Sequence, residues 1–142
     1  LLNVVGIGIN HSGKDECTSL MYASFYGHTE VVRLLLQQPN IDIHKKTTHG
    51  DTAIGMASQK GHVDTAKVLI EAGGNVNQHS NQDATPLFIA SMEGHIDIVR
   101  LLLQQPNIDV NKKTTSGDTV IGMATQNNHT DVVQLLTNAG AK

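Results

Sequence analysis

The amino-acid sequence predicts an all-α fold, a solenoid of helix-turn-helix units joined by protruding hairpin-like loops. A long internal repeat is the first observation: residues 34–59 recur as residues 101–126, with 21 of 26 positions identical. A shorter spacing of 33 or 34 residues inside that repeat is the second. It links the threonines Thr18, Thr52, Thr85 and Thr119, and the histidines His28, His62, His95 and His129. Self-similarity at such an interval is typical of stacked repeats, so the chain contains four modules of two alternating types.

Each module is predicted to form two short helices. The threonine supplies an N-cap oxygen, and at Thr85 the following Pro86 suits the first helical turn. A glycine ends the first helix at Gly27, Gly61 and Gly94, and Asn128 takes that place in the last module, as expected for a left-handed backbone. An acidic residue, such as Asp97, opens the second helix, where the helix dipole favours negative charge. Because helices this short are marginal alone in water, neighbouring modules must stack.

Composition excludes several functions. The 142 residues include 10 lysines and arginines against 13 aspartates and glutamates, and 3% aromatic residues. Such a chain offers neither a basic footprint nor a stacking platform for nucleic acid. No apolar run approaches the ~18 residues of a membrane span, and the first ten residues lack a basic leader, so no membrane association is expected. A single cysteine, Cys17, points to a reducing compartment, and the expected localisation is intracellular and cytoplasmic.

Candidate catalytic and metal sites all have simpler structural interpretations. The four equivalent histidines lie on successive modules, about 8–10 Å apart, whereas two ligands of one Zn²⁺ need donor atoms within roughly 4 Å. No histidine or acid is directed at Cys17 by the sequence. Gly6 and Gly8 lack the third glycine and the βαβ frame of a dinucleotide site. The sequence therefore predicts no metal, no cofactor, no small-molecule substrate and no enzymatic activity.

Residues 84–103 (ATPLFIASMEGHIDIVRLLL) resemble the ankyrin repeat closely. The segment has a TPLH-like helix start, an alanine, a Gly-His turn and a Val-x-Leu-Leu helix. Val76-Asn77 and Val110-Asn111 match the loop that ends such a repeat. The resemblance covers essentially the whole chain and implies a single ankyrin repeat domain over residues 1–142. Its divisions are a remnant of a preceding repeat (1–10) and four repeats (11–43, 44–77, 78–110 and 111–142).

The chain departs from the family pattern at the TPLH histidine. Met21, Gly55, Phe88 and Gly122 replace it. A glycine inside a helix costs about 1 kcal/mol relative to alanine, so we expect the second and fourth repeats to be softer. We interpret these glycines as sites of close backbone packing between neighbouring repeats. The resemblance also implies that the histidines of the Gly-His turns stabilise the turn and contact the next repeat.

The resemblance implies a non-catalytic protein-protein interaction module that binds a protein or peptide on its loops and the exposed ends of its first helices. The candidate binding residues are Lys14, Asp15, Phe25, Tyr26, Thr48, His49, Asp51, Gln59, Lys60, Asn81, Gln82, Met92, Glu93, Thr115, Ser116, Asp118, Gln126 and Asn127, together with Cys17 and Ala84. Phe25, Tyr26 and Met92 are the predicted anchors, since aromatic residues dominate interface energies and methionine adapts to irregular surfaces. The alternative interpretation is that Phe25 or Tyr26 covers the flank of the first helix.

A second functional hypothesis stays open: the chain is a structural spacer segment of a longer ankyrin array without a dedicated partner. We expect the chain to be monomeric. Homo-association is the alternative, through the truncated helix and loop that contain Leu1, Leu2, Val4 and Val5.

Overall fold

The computed structural model describes residues 9–142 and forms eight α-helices over that range. They are α1 (Ser19–Phe25), α2 (Thr29–Leu36), α3 (Ala53–Lys60), α4 (Val63–Glu71), α5 (Pro86–Glu93), α6 (Ile96–Leu103), α7 (Val120–Gln126) and α8 (Thr130–Asn138). Residues 9–142 contain no β-strand beyond one isolated bridge between Ser12 and Thr18. The prediction of an all-α repeat solenoid is confirmed.

The repeated threonines cap the first helix of every repeat. The Oγ1 atoms of Thr18, Thr52 and Thr85 accept hydrogen bonds from the backbone N–H three residues later, at 3.3, 3.1 and 3.1 Å. Thr119 makes the same bond at 3.0 Å. Each cap satisfies a backbone donor that the helix itself leaves unpaired.

The end of each first helix depends on the repeat that follows it. Gly61 ends α3 with φ of 74°, in the left-handed region, and Asn128 adopts φ of 61° at the equivalent place. A Cβ at Gly61 would lie 2.7 Å from Nδ1 of His95 in the next repeat. Glycine is therefore required at Gly61 both by the backbone and by the close approach of the histidine ring.

The turn histidines tie each repeat to the one before it. Nε2–H of His62 donates to the carbonyl oxygen of Phe25 at 3.0 Å. His95 donates in the same way to Gln59 at 2.8 Å, and His129 to Met92 at 2.9 Å. The expectation that these side chains reach the next repeat is wrong in direction for His62, His95 and His129, because their imidazoles point back to the end of the preceding first helix.

The core lies between two layers of helices. One layer consists of the first helices α1, α3, α5 and α7, and the other of the second helices α2, α4, α6 and α8. Fully buried side chains between them include Leu87 and Leu102. First helices pack against one another more closely than second helices do, so the stack curves with the first helices on its inner side.

The glycines inside α3 and α7 do not mark close backbone packing between repeats, so that interpretation is wrong. A Cβ at Gly55 would meet only side-chain atoms, Oγ1 of Thr52 at 3.2 Å and Cδ1 of Ile89 at 3.7 Å. Gly122 is exposed, and a Cβ there would meet Oγ1 of Thr119 at 2.8 Å. The lower stability expected for the second and fourth repeats stays a prediction.

Several predictions fall on the first eight residues and lie outside the described part of the chain: those on Leu1, Leu2, Val4, Val5, Gly6 and Gly8. Asn10, just after them, uses its Oδ1 to accept from the N–H of Asp42 at 2.6 Å. Asn77 accepts from Asp109 at 2.9 Å in the equivalent place. Asn10 thus occupies a repeat-ending loop position, although the boundaries of the five divisions stay predictions.

No helix within residues 9–142 has the length and apolar character needed to cross a bilayer.

Candidate binding groove

The loops that precede the first helices are tight hairpin-like turns, which we call fingers. In the finger of residues 44–51, the N–H of Thr47 donates to the carbonyl of Asp51 at 3.0 Å, and that of Gly50 donates to Thr47 at 2.9 Å. The Thr47 Oγ1 accepts a further bond from the N–H of Asp51 at 3.1 Å. The finger of residues 111–118 repeats the first two bonds between Thr114, Asp118 and Gly117. These bonds give each finger a fixed shape without a strand.

Neighbouring fingers are hydrogen-bonded to one another. The N–H of Thr48 donates to Asp15 at 3.0 Å, and that of Thr115 donates to Gln82 at 3.0 Å. Between them, the N–H of Asn81 donates to His49 at 3.3 Å, and its Nδ2 donates to Thr48 at 2.9 Å. The four fingers thus form a continuous wall beside the first helices.

The fingers and the first helices together enclose a groove with two concavities. The first, which we call the aromatic pocket, has a volume of about 350 Å³ and lies between the first and second repeats, against Tyr22, Phe25, Tyr26 and Met56. The second, which we call the acidic pocket, has a volume of about 360 Å³ and spans the second, third and fourth repeats. Asp51 lines both concavities, so they are adjacent parts of one groove.

The aromatic pocket contains two exposed tyrosine rings and one phenylalanine ring that already contacts other side chains. The Phe25 ring meets Tyr26 edge-on, with centroids 5.0 Å apart, and the Lys60 ammonium sits 4.8 Å from the Phe25 centroid. Tyr26 remains 60% exposed, and Tyr22 is 51% exposed. Phe25 is half-buried and already carries a cation over its ring. The two tyrosines therefore present the available aromatic surface.

Cys17 also lines the aromatic pocket. Burial raises the pKa of its thiol above the ordinary value of 9.0, and the nearby carboxylates of Asp51 and Asp15 raise it further against an opposing hydrogen bond with Tyr22. The thiol is therefore protonated at neutral pH. It can pack against its neighbours and make weak polar contacts, but it is not activated as a nucleophile.

The acidic pocket has an apolar floor and acidic walls. Phe88, Ile89 and Met92 of the third repeat and Met123 of the fourth contribute apolar side chains. Asp51 and Asp118 lie on the finger side. Among residues 9–142, no group of three or more histidine, cysteine, aspartate or glutamate side chains is placed to hold a metal ion.

Most of the candidate binding residues come together in these two concavities. The aromatic pocket collects Lys14, Asp15, Phe25, Tyr26, His49 and Asp51, and the acidic pocket collects Asp51, Gln59, Gln82, Met92, Thr115, Ser116 and Asp118. The remaining candidates, which line neither, are Thr48, Lys60, Asn81, Glu93, Gln126 and Asn127. Thr48 and Asn81 join adjacent fingers, and Asn127 donates from Nδ2 to the carbonyl of Met92 at 2.9 Å.

Sequence reasoning missed a whole column of groove residues: Tyr22, Met56, Ile89 and Met123, four positions after each capping threonine. Phe88 of the acidic pocket was missed as well. A signal for the column exists, because the adjacent position is alanine in every repeat whereas this one changes from repeat to repeat. A position that varies between repeats, next to a core position that is always alanine, indicates a surface residue whose identity is free to change.

The chain belongs to the ankyrin repeat family. A family model described as "Ankyrin repeats (3 copies)" matches residues 1–80, 20–114 and 73–142. The chain is similar to the transient receptor potential cation channel subfamily A member 1 of Homo sapiens, with 27% identity over 87% of this chain and 11% of that protein. It is also similar to the ankyrin repeat and KH domain-containing protein mask-1 of Caenorhabditis elegans, with 31% identity over 89% of this chain and 5% of that protein.

A third relative is the putative ankyrin repeat protein FPV031 of Fowlpox virus, with 30% identity over 93% of this chain and 40% of that protein. The chain thus spans less than half the length of each of these relatives. What the similarity shows is the repeat architecture, which is shared by proteins that differ widely in size.

Proposed function

We propose that the chain is a non-catalytic protein-interaction module that binds an extended segment of a protein partner in the groove between its fingers and first helices. The observation that carries this proposal is the exposure of Tyr22 and Tyr26, 51% and 60%, on a groove whose walls are fixed by hydrogen bonds. Family membership supports it, because ankyrin repeats generally mediate protein-protein interaction.

Energetics favour the aromatic pocket as the anchor of that interaction. Tyrosine is enriched among interface residues whose truncation costs the most binding energy, and burying its ring against a partner costs little side-chain entropy. The groove is preorganised by finger-to-finger bonds, so binding needs little further ordering of the receptor. The second functional hypothesis, a structural spacer, requires no binding at this surface.

The test is a selection of random twelve-residue linear peptides on the immobilised chain, followed by fluorescence anisotropy with the strongest binder. Tyr22→Ala/Tyr26→Ala is expected to weaken binding by about tenfold or more, because each anchor contributes roughly 1 kcal/mol or more. Val31→Ala/Leu34→Ala is the matched control, since these side chains are 43% and 49% exposed on α2, away from the groove.

The control variant is expected to bind as the wild type does, and thermal unfolding verifies that both variants are folded. A chain that selects no peptide, or a tyrosine variant that binds unchanged, contradicts the proposal and favours the spacer.

A further inference from the structure

The residue just before each capping threonine forms a row along the groove: Cys17, Asp51, Ala84 and Asp118. Within the acidic pocket the row places a carboxylate on either side of a small side chain, Ala84. The two aspartates belong to the second and fourth repeats, whose fingers are nearly identical in sequence. Their charges therefore occupy equivalent positions two repeats apart.

The carboxylates of Asp51 and Asp118 have no ion-pair partner anywhere in residues 9–142. Asp51 accepts one bond, from Oγ1 of Thr47 at 3.4 Å. One lysine in each aspartate's own finger is engaged elsewhere: the ammonium of Lys46 donates to the carbonyl of His79 at 2.8 Å, and that of Lys112 lies 3.9 Å from Asp83. The pocket lining itself contains no basic side chain.

The floor between these charges suits the stem of a long basic side chain. Phe88, Ile89, Met92 and Met123 present apolar surface next to the carboxylates. Lysine and arginine bury their methylene stems along apolar surface while the charged head remains near polar groups. A partner cation placed here gains both apolar contact and an opposite charge, whereas an acidic segment is repelled.

The spacing of the repeats sets the spacing of the partner's charges. Packed neighbouring helices lie about 8–10 Å apart, so Asp51 and Asp118 are separated by roughly 16–20 Å. An extended chain advances about 3.3 Å per residue, so five or six residues cover that distance. Between them, one side chain of the partner faces Ala84, where the small side chain leaves room.

We propose that the acidic pocket binds a segment of a protein partner with two lysine or arginine residues five or six positions apart and an apolar residue between them. The inference rests on the proposed function and adds the chemistry of the partner at this part of the groove. The two cations pair with Asp51 and Asp118, and the apolar residue packs on the floor near Ile89.

The experiment reads the composition of the selected peptides and then tests the best binder. Enrichment of lysine and arginine at two positions five or six apart is expected relative to the unselected library. Asp51→Asn/Asp118→Asn is expected to weaken binding about fivefold to tenfold, and raising NaCl from 50 to 300 mM is expected to weaken the wild type but not this variant. Asparagine retains an acceptor for Thr47, so the finger is preserved.

Asp64→Asn/Glu71→Gln is the matched control, because it also removes two negative charges, but from α4, outside the groove. This variant is expected to bind within about twofold of the wild type. Peptides without basic enrichment, or equal binding by Asp51→Asn/Asp118→Asn, overturn this inference. If Tyr22→Ala/Tyr26→Ala still weakens those same peptides, the proposed function stands. A selection that yields no peptide overturns both.

Discussion

At the scale of single residues, the turn histidines add a side-chain link between repeats to the main-chain bonds that join the fingers. Each Nε2–H satisfies a carbonyl at the end of a first helix, as His95 does for Gln59 at 2.8 Å. The end of a helix leaves carbonyls without intrahelical partners, so a donor supplied by the next repeat stabilises that end. One side chain therefore contributes both to the end of the preceding first helix and to the interface between the two repeats.

We predict that His95→Ala lowers the free energy of unfolding by about 1–2 kcal/mol, because it removes this hydrogen bond and the ring that packs on Gly61. Urea unfolding followed by circular dichroism measures the change. His44→Ala, at an exposed finger position, is the control and is expected to stay within about 0.5 kcal/mol of the wild type. Equal losses in the two variants would show that the interrepeat bond contributes no stability.

Local backbone chemistry was readable from the sequence, and contacts across repeats were not. Thr85 and Gly61 were assigned correctly because a cap and a left-handed turn depend on the residue itself and its near neighbours. The direction in which His95 points depends on the placement of a neighbouring repeat, which no local pattern encodes. The same limitation hid the role of Asn81, which links two fingers.

At the scale of helices, α3 carries a glycine in its interior with no structural need for it. Met21 and Phe88 occupy the equivalent position in the first and third repeats, and both have a Cβ. Their backbone N–H groups still donate to the capping threonine, at 3.3 and 3.1 Å. The cap geometry is therefore compatible with a side chain at Gly55.

We predict that Gly55→Ala stabilises the chain by about 0.5–1 kcal/mol, since alanine loses less conformational entropy in a helix. Its Cβ would lie 3.7 Å from Cδ1 of Ile89 and 3.2 Å from Oγ1 of Thr52, a tight approach at the cap that Met21 and Phe88 accommodate in their own repeats. Thermal unfolding detects this as a higher midpoint. Gly122→Ala is the comparison: a Cβ there lies 2.8 Å from Oγ1 of Thr119, so a smaller gain is expected. A lower midpoint for Gly55→Ala would contradict the prediction.

Helix patterns in the sequence predicted some of the residues that line the groove and missed others. Tyr26 and Met92 line the groove and were found because they lie at the end of a first helix, where the family pattern places binding residues; their role as anchors stays a prediction. Met56 and Met123 were not, because apolar residues at helical spacing are indistinguishable from core until the helix is packed. The inner side of the stack became visible only from the closer packing of the first helices.

At the scale of the whole molecule, each repeat contacts only its neighbours, so stability varies along the stack. The helix α5 has neighbours on both sides and buries five residues, whereas α7 packs on one side and buries two. The fourth repeat combines this weaker burial with the exposed Gly122. The weaker packing of the fourth repeat thus favours opening from that end.

We predict that backbone amides of α7 and α8 exchange hydrogen about tenfold faster than those of α5 and α6, because local opening is easiest where the fewest buried contacts are lost. Hydrogen-exchange mass spectrometry of the 142-residue chain measures this directly. Uniform protection along all four repeats would show instead that the stack opens as one cooperative unit.

The bonds from one finger to the next have a consequence for anyone who wishes to redirect what this chain recognises. Thr48 pairs with Asp15, Asn81 with His49, and Thr115 with Gln82, so a foreign loop grafted at one position severs contacts on both of its flanks. Grafts that exchange adjacent loops as a block retain their shared bonds. Libraries built on this scaffold should accordingly vary exposed side chains that make no bond between fingers and leave the backbone of the fingers unchanged.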